Sequence, residues 1–168
     1  MKSFKPLPAT VFGLLICLGS VNADEHALFA TQSLTPEIAL KAVAASMAKC
    51  RAEGYQVSVA VVDRMGSLQA LIRDRFAGAH TPETARRKAW TAASFRTNTT
   101  DLVEPTQSGK AQSGVRHVSD ALMLGGGMLI DAAGSSVGAI GVSGAPNGTA
   151  DDLCAAAGIA AIEEDISF

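Results

Sequence analysis

Between residues 56 and 63 the chain alternates: Val57, Val59 and Val61 fall on one side, Ser58, Ala60 and Val62 on the other. Both sets are mostly apolar, which predicts a central strand covered on both faces. Asp63-Arg64-Met65-Gly66 reads as a hairpin turn with Gly66 in the left-handed conformation, and residues 67–73 as the returning strand. Upstream the period changes to that of a helix. Thr35 is placed as N-cap, Pro36 at the first helical position and Glu37 in the first turn. Ala39, Ala42, Val43, Met47 and Cys50 then form an apolar stripe opposite Glu37, Lys41, Lys49 and Glu53, and Gly54 ends the helix. Downstream, the loop 74–80 leads into Thr81-Pro82-Glu83, a second helix start, with Ala85, Ala89 and Ala92 as a close-packing face and Trp90 beside it.

The second half is less regular. Residues 97–120 are polar and weakly periodic, a long excursion with room for a short helix. Gly125-Gly126-Gly127 precedes a strand over Met128 to Asp131, a turn through Gly134 leads to a strand over Val137 to Ser143, and 144–149 is another turn. Thr149 with Asp152 resembles a capping box for an Ala-rich last helix over 150–163. Helix, hairpin, helix, excursion, hairpin, helix is the order of an α+β domain. It predicts an antiparallel sheet with the N- and C-terminal helices packed on one face.

The N-terminus reads differently. Lys2 and Lys5 precede a mostly apolar run from Leu7 to Val21, and Val21-Asn22-Ala23 is a small-residue cleavage pattern. Residues 1–23 are therefore expected to be a secretory signal peptide, with Asp24 as the mature start, 24–33 a flexible leader and 34–168 the domain. The run is too short and interrupted for a membrane span, so membrane insertion is not expected. Losing Lys2 and Lys5 leaves 12 basic against 16 acidic residues, a formal charge of −4. That balance argues against nucleic-acid binding, which needs many phosphate-neutralising cations. Cys50 and Cys154 remain. Export would permit a disulfide, but two cysteines make no disulfide scaffold, and the expectation is a pair of buried thiols.

Charge changes the picture once more. Arg73, Arg75, Arg86, Arg87, Lys88 and Arg96 lie within 24 residues and are six of those twelve cations. Arg87 and Lys88 sit on the helix that follows the loop Ala77-Gly78-Ala79, where helix N–H groups add to an anion-binding wall. A solvated helix face explains Arg75 and Arg96 as well as a site does. His80, just before the helix, is the best metal-ligand candidate among the histidines. The other histidines, His26 and His117, lie in the leader and the excursion, and no paired spacing suggests zinc. Gly134-Ser135-Ser136-Val137-Gly138 has the GxSxG spacing but leads from a turn into a strand, so it is no nucleophile elbow; no GxGxxG turn is present, and Asp63 reads as a turn former.

VAVVDRMGSL, ARRKAWTAASF, GGGMLI and VGAIGVSGAPNGTADDLCAAAGIAAI resemble the GlcG/HbpS family over roughly residues 34–165. The resemblance implies a profilin-like (GlcG-like) fold, symmetric homo-oligomers and haem binding, as in the related PduO C-terminal domain, with haem degradation or sensing in some members. Its matching region offers His80, Thr81, Thr91 and Thr97, with His80 the candidate on the metal, while Phe76, Arg86, Arg87 and Lys88 are candidate haem contacts by their own chemistry. Haem needs an apolar slot, cations for its propionates and an optional axial ligand. Phe76, Trp90, Phe95 and Met123 are candidates for the slot. The same cationic wall would suit a small carboxylate or aldehyde-derived metabolite, as enzyme or binding protein. A third reading is a structural accessory protein that uses its surface only for assembly.

Overall fold

The computed structural model describes residues 28–167, and every helix and strand in it belongs to the unit from Thr31 onward. The expected signal peptide over 1–23, the expected start at Asp24 and His26 lie outside the described residues. Helix α1 spans Pro36–Ala52, with Thr35 Oγ1 accepting from Ile38 N at its start and Gly54 at φ +82 just past its end. Strands β1 (Ser58–Asp63) and β2 (Leu68–Arg73) form the first hairpin. Asp63 Oδ1 accepts from the amides of Met65 (2.8 Å) and Ser67 (2.9 Å), and Gly66 sits at φ +85. Helix α2 is Thr81–Phe95. The excursion holds a short helix α3 (Thr99–Val103) and a 3-10 turn (Ser113–His117). Strands β3 (Gly127–Ala132) and β4 (Ser135–Ser143) form the second hairpin, followed by α4 (Gly148–Ala160) and a last turn, α5 (Glu163–Ile166).

The four strands order β2-β1-β4-β3, every neighbour antiparallel, with β1 and β4 central. The fold is thus the antiparallel α+β arrangement the sequence predicts. Helices α1 and α4 pack together on one face, and α2 covers the other. The alternation in β1 sorts its side chains accordingly. Val57, Val59 and Val61 join Val43, Met47, Ile130, Ile140 and Val142 in the main core beneath α1 and α4. Val62 turns to the second, smaller cluster with Ala89, Ala92, Ala93 and Ala139.

Two expectations are corrected. Cys50 and Cys154 are not free thiols: they form a disulfide between α1 and α4, with Cα atoms 5.5 Å apart. The pairing joins residues that helix packing brings together from 104 positions apart. The last helix is also capped differently. Asn147, not Thr149, accepts from the amide of Ala150 (2.9 Å), and Asp152 instead accepts from Gly126 N.

The α2 face is unusually close-packed. Gly127 and Gly141 are cross-strand partners. A Cβ on Gly141 would run into the carbonyl of Ala85, and one on Gly127 into that of Lys88. The helix backbone therefore rests on the sheet, with alanine on one side of the contact and glycine on the other. This places the N-terminal half of α2 against the end of β4, where the site lies.

Candidate functional site

A cleft of about 520 Å³ opens where three stretches converge: Gly78 to Thr81 with the first turns of α2, Leu122 to Leu124, and Ser143 to Asn147 with the start of α4. The N-termini of two helices thus border one cavity, each with first-turn N–H groups that lack intrahelical partners.

The start of α2 is fastened to the sheet by hydroxyls. Thr81 Oγ1 donates to Gly78 O (2.8 Å), so in its 2.7 Å contact with Ser58 Oγ the serine is the donor. His80 is exposed at the mouth of the cleft, and its ring lies back over Gly78, where a Cβ would come within 2.7 Å of Cε1. Glycine at 78 sets where the imidazole rests.

Further in, Lys88 is 1 % exposed. Its Nζ donates to Asp151 Oδ2 (2.7 Å) and to Val142 O (2.9 Å), while Asp151 Oδ1 accepts from Ala145 N (3.0 Å). The pair ties α2 to β4, to the loop after β4 and to the first turn of α4. Burial pushes the Asp151 carboxyl above its ordinary range, and the Lys88 charge and hydrogen bond oppose that rise. Lys88 is therefore no open clamp on the protein surface, as a run of three cations suggests, but half of a buried ion pair.

Arg87 and Thr91 shape the opposite wall. Arg87 donates to the carbonyls of Asp120 (Nε, 3.2 Å) and Ala121 (Nη2, 2.8 Å). Thr91 Oγ1 donates to Arg87 O (2.7 Å) and accepts from Leu122 N (2.9 Å). Asp120 is held at φ +66, a left-handed conformation that a non-glycine residue adopts at a cost. Arg86 turns away from the cleft to Glu83 and Asp120. Its guanidinium lowers the Glu83 carboxyl and is itself raised by these partners.

Of the residues singled out from the sequence, His80, Thr81, Arg87 and Lys88 line the cleft. Arg86, Thr91 and Phe76 do not; Thr91 supports the wall from behind, and Phe76 is 78 % exposed on its loop. Trp90, Phe95 and Met123 also lie outside the lining, Trp90 packing against Gly66 of the first hairpin. The apolar lining comes instead from Leu122, Leu124, Ala145 and Pro146. Ser143, Asn147, Gly148 and Asp151 were not anticipated. The turn Ser143-Gly144-Ala145-Pro146-Asn147-Gly148 between a strand and a helix was the available signal. Among the described residues, no group of three or more His, Cys, Asp or Glu is placed to hold a metal ion.

The fold is shared with several solved structures. The crystal structure of an HbpS double mutant from Streptomyces reticuli is 35 % identical, covers 92 % of this chain and 97 % of its own, and superposes with a TM-score of 0.74. A crystal structure of HbpS is 38 % identical, covering 83 % and 97 %, with a TM-score of 0.75. A PduOC:heme complex is 29 % identical, covering 77 % and 95 %, with a TM-score of 0.73. None of the curated proteins compared matches the chain. The family model described as haem degrading protein HbpS-like matches residues 34–160, and the chain belongs to that family.

Proposed function

We propose that this is an exported haem-binding protein of the HbpS type, acting in haem uptake, storage or sensing. The carrying observation is the family match over residues 34–160, joined by a relative crystallised with haem. The donor chemistry of the cleft supports the reading. His80 offers an imidazole at the mouth, Arg87 a guanidinium for a propionate, and Leu122 and Leu124 an apolar wall. Haem bound there would supply iron redox chemistry, while the chain's part is to bind, orient and shield it. Haem titration should give a Soret band with a defined stoichiometry, and His80→Ala should change the spectrum. No Soret change on titration would end the haem reading; a spectrum untouched by His80→Ala would move the iron ligand elsewhere.

Export is supported by the signal pattern over 1–23 and by the Cys50–Cys154 disulfide, which persists best in an oxidising compartment. Mass spectrometry of exported protein should find Asp24 at its N-terminus. Self-assembly is supported by apolar side chains exposed on and beside the edge strand β2, namely Met65, Leu68, Ile72 and Phe76. Light scattering should report a dimer or larger at micromolar concentration.

A further inference from the structure

Among the described residues, one buried polar side chain lining the cleft has no hydrogen-bond partner. Ser143 is 5 % exposed, ends β4 and lines the cavity, yet its hydroxyl makes no hydrogen bond among the described residues. Its cross-strand neighbour Ser58 is satisfied by Thr81. Ser143 is buried as a residue but its hydroxyl opens on the cleft, which leaves it free to donate to a ligand there.

The surroundings specify that ligand. Lys88 Nζ bonds the carbonyl of Val142, next to Ser143, and the aspartate, leaving one of its three N–H groups without a protein acceptor. Across the cleft, α4 begins at Gly148. Asn147 satisfies the amides of Ala150 and Asp151, so those of Gly148 and Thr149 are the open donors of the first turn. All of these donors suit an acceptor with negative charge. The permanently charged lining is Lys88, Arg87 and Asp151, a net of one positive charge. One positive charge beside a carboxylate favours a monoanion over a phosphate dianion.

We propose that the inner end of this cleft is a subsite for a single carboxylate group, held by the Ser143 hydroxyl, the remaining N–H of Lys88 and the open amide of Gly148. The carboxylate belongs either to a free small organic acid or to a larger ligand that reaches in with one acid group. The inference does not depend on haem occupying the rest of the cleft.

The test is a titration of the full mature protein, isotope-labelled, with sodium acetate and separately with inorganic phosphate, read by amide NMR. Acetate should shift the Gly148 amide saturably, and phosphate should do so more weakly. Ser143→Ala should weaken acetate binding about tenfold, the scale of one hydrogen bond to a charged group. Its melting temperature should stay level or rise, because no protein partner is lost. Ser143→Gly should weaken acetate binding to the same extent, with a lower melting temperature because glycine in a strand costs backbone entropy. Acetate that leaves Gly148 unmoved, phosphate that binds as tightly, or Ser143 variants that bind acetate like the parent would each overturn the subsite. Repeating the titration on haem-loaded protein separates the two sources. Loss of the acetate response identifies a propionate as the occupant, whereas an unchanged response identifies a free acid. Failure to bind haem leaves the acetate result standing on its own.

Discussion

The two faces of the sheet are built from the same strands to opposite designs. Under α1 and α4, β1 and β4 present Val57, Val59, Val61, Ile140 and Val142, and a disulfide bridges the two helices. Under α2, the same strands present Ser58, Ala60, Gly141 and Ser143, and the helix answers with alanines and one lysine. The first face fills volume with branched side chains, which accounts for most of the apolar burial. The second brings backbones together and leaves polar groups at the seam. Stability is concentrated on one side, and the cleft opens on the other.

Their ion pairs show the same contrast. Arg51, half exposed at the end of α1, holds Asp74 through Nε (2.7 Å) and Nη2 (2.9 Å), and the Asp74 carboxyl drops to about 2. Buried Asp151 goes the other way, despite a lysine at 2.7 Å. A carboxylate with a guanidinium still in water gains more from the partner than it loses in desolvation; one shut in with its partner does not.

The contrast breaks most sharply at Asp151. Asp151→Ala strands a buried lysine charge and should cost on the order of 3–5 kcal/mol, with loss of ligand affinity in the cleft. Replacing both members, Lys88→Met with Asp151→Leu, should recover most of that stability and none of the affinity. Urea unfolding with ligand titration reads both quantities. Next in size is the disulfide. Cys50→Ala with Cys154→Ala should cost roughly 2–4 kcal/mol, yet leave cleft affinity close to the parent value, because the bridge acts mainly on the unfolded chain. A large affinity loss in that variant would show that the two faces are coupled. Gly141→Ala should follow at about 1–3 kcal/mol, since a methyl group there meets the Ala85 carbonyl. Hydrogen exchange should localise its effect to α2 and spare α1.

The smallest effect is in pH. Asp74 has a lowered folded value, so its pair adds stability above about pH 3.8 that disappears as pH falls towards 2. Asp151, raised on folding, works against stability as pH climbs from its unfolded value through its folded one. Asp74→Asn should flatten the acid limb of the unfolding midpoint. Asp151→Asn should steepen the net rise of stability with pH by removing the opposing contribution.

Sequence patterning reads the first face well and the second poorly. The alternation at 57–62, the Asp63–Gly66 turn and the α1 stripe are local signals, and each element forms where they place it. The disulfide and the Lys88–Asp151 pair span 104 and 63 positions, and no local period encodes such partners. Lys88 was nevertheless partly legible. It stands three residues after Ala85 and four before Ala92, on the close-packing face of α2, and only its neighbours Arg86 and Arg87 made it look like surface. Ser143 was hidden for another reason. A serine at a strand end looks like the first residue of a turn, and its missing partner is visible only once its neighbours are in place.

The Cys50–Cys154 bond also changes the covalent topology of the chain. Everything between those residues, including all four strands and α2, forms a closed ring, from which the first fourteen residues of α1 and the C-terminal end of α4 project as tails. A protease that cuts the exposed stretch near Gly109 opens the ring without dividing the molecule, and the product runs as one species until a reductant is added. A cut near Gln32 lies on a tail and releases its fragment at once. The protein thus tolerates a break in its longest excursion while keeping both halves of the sheet within reach of each other.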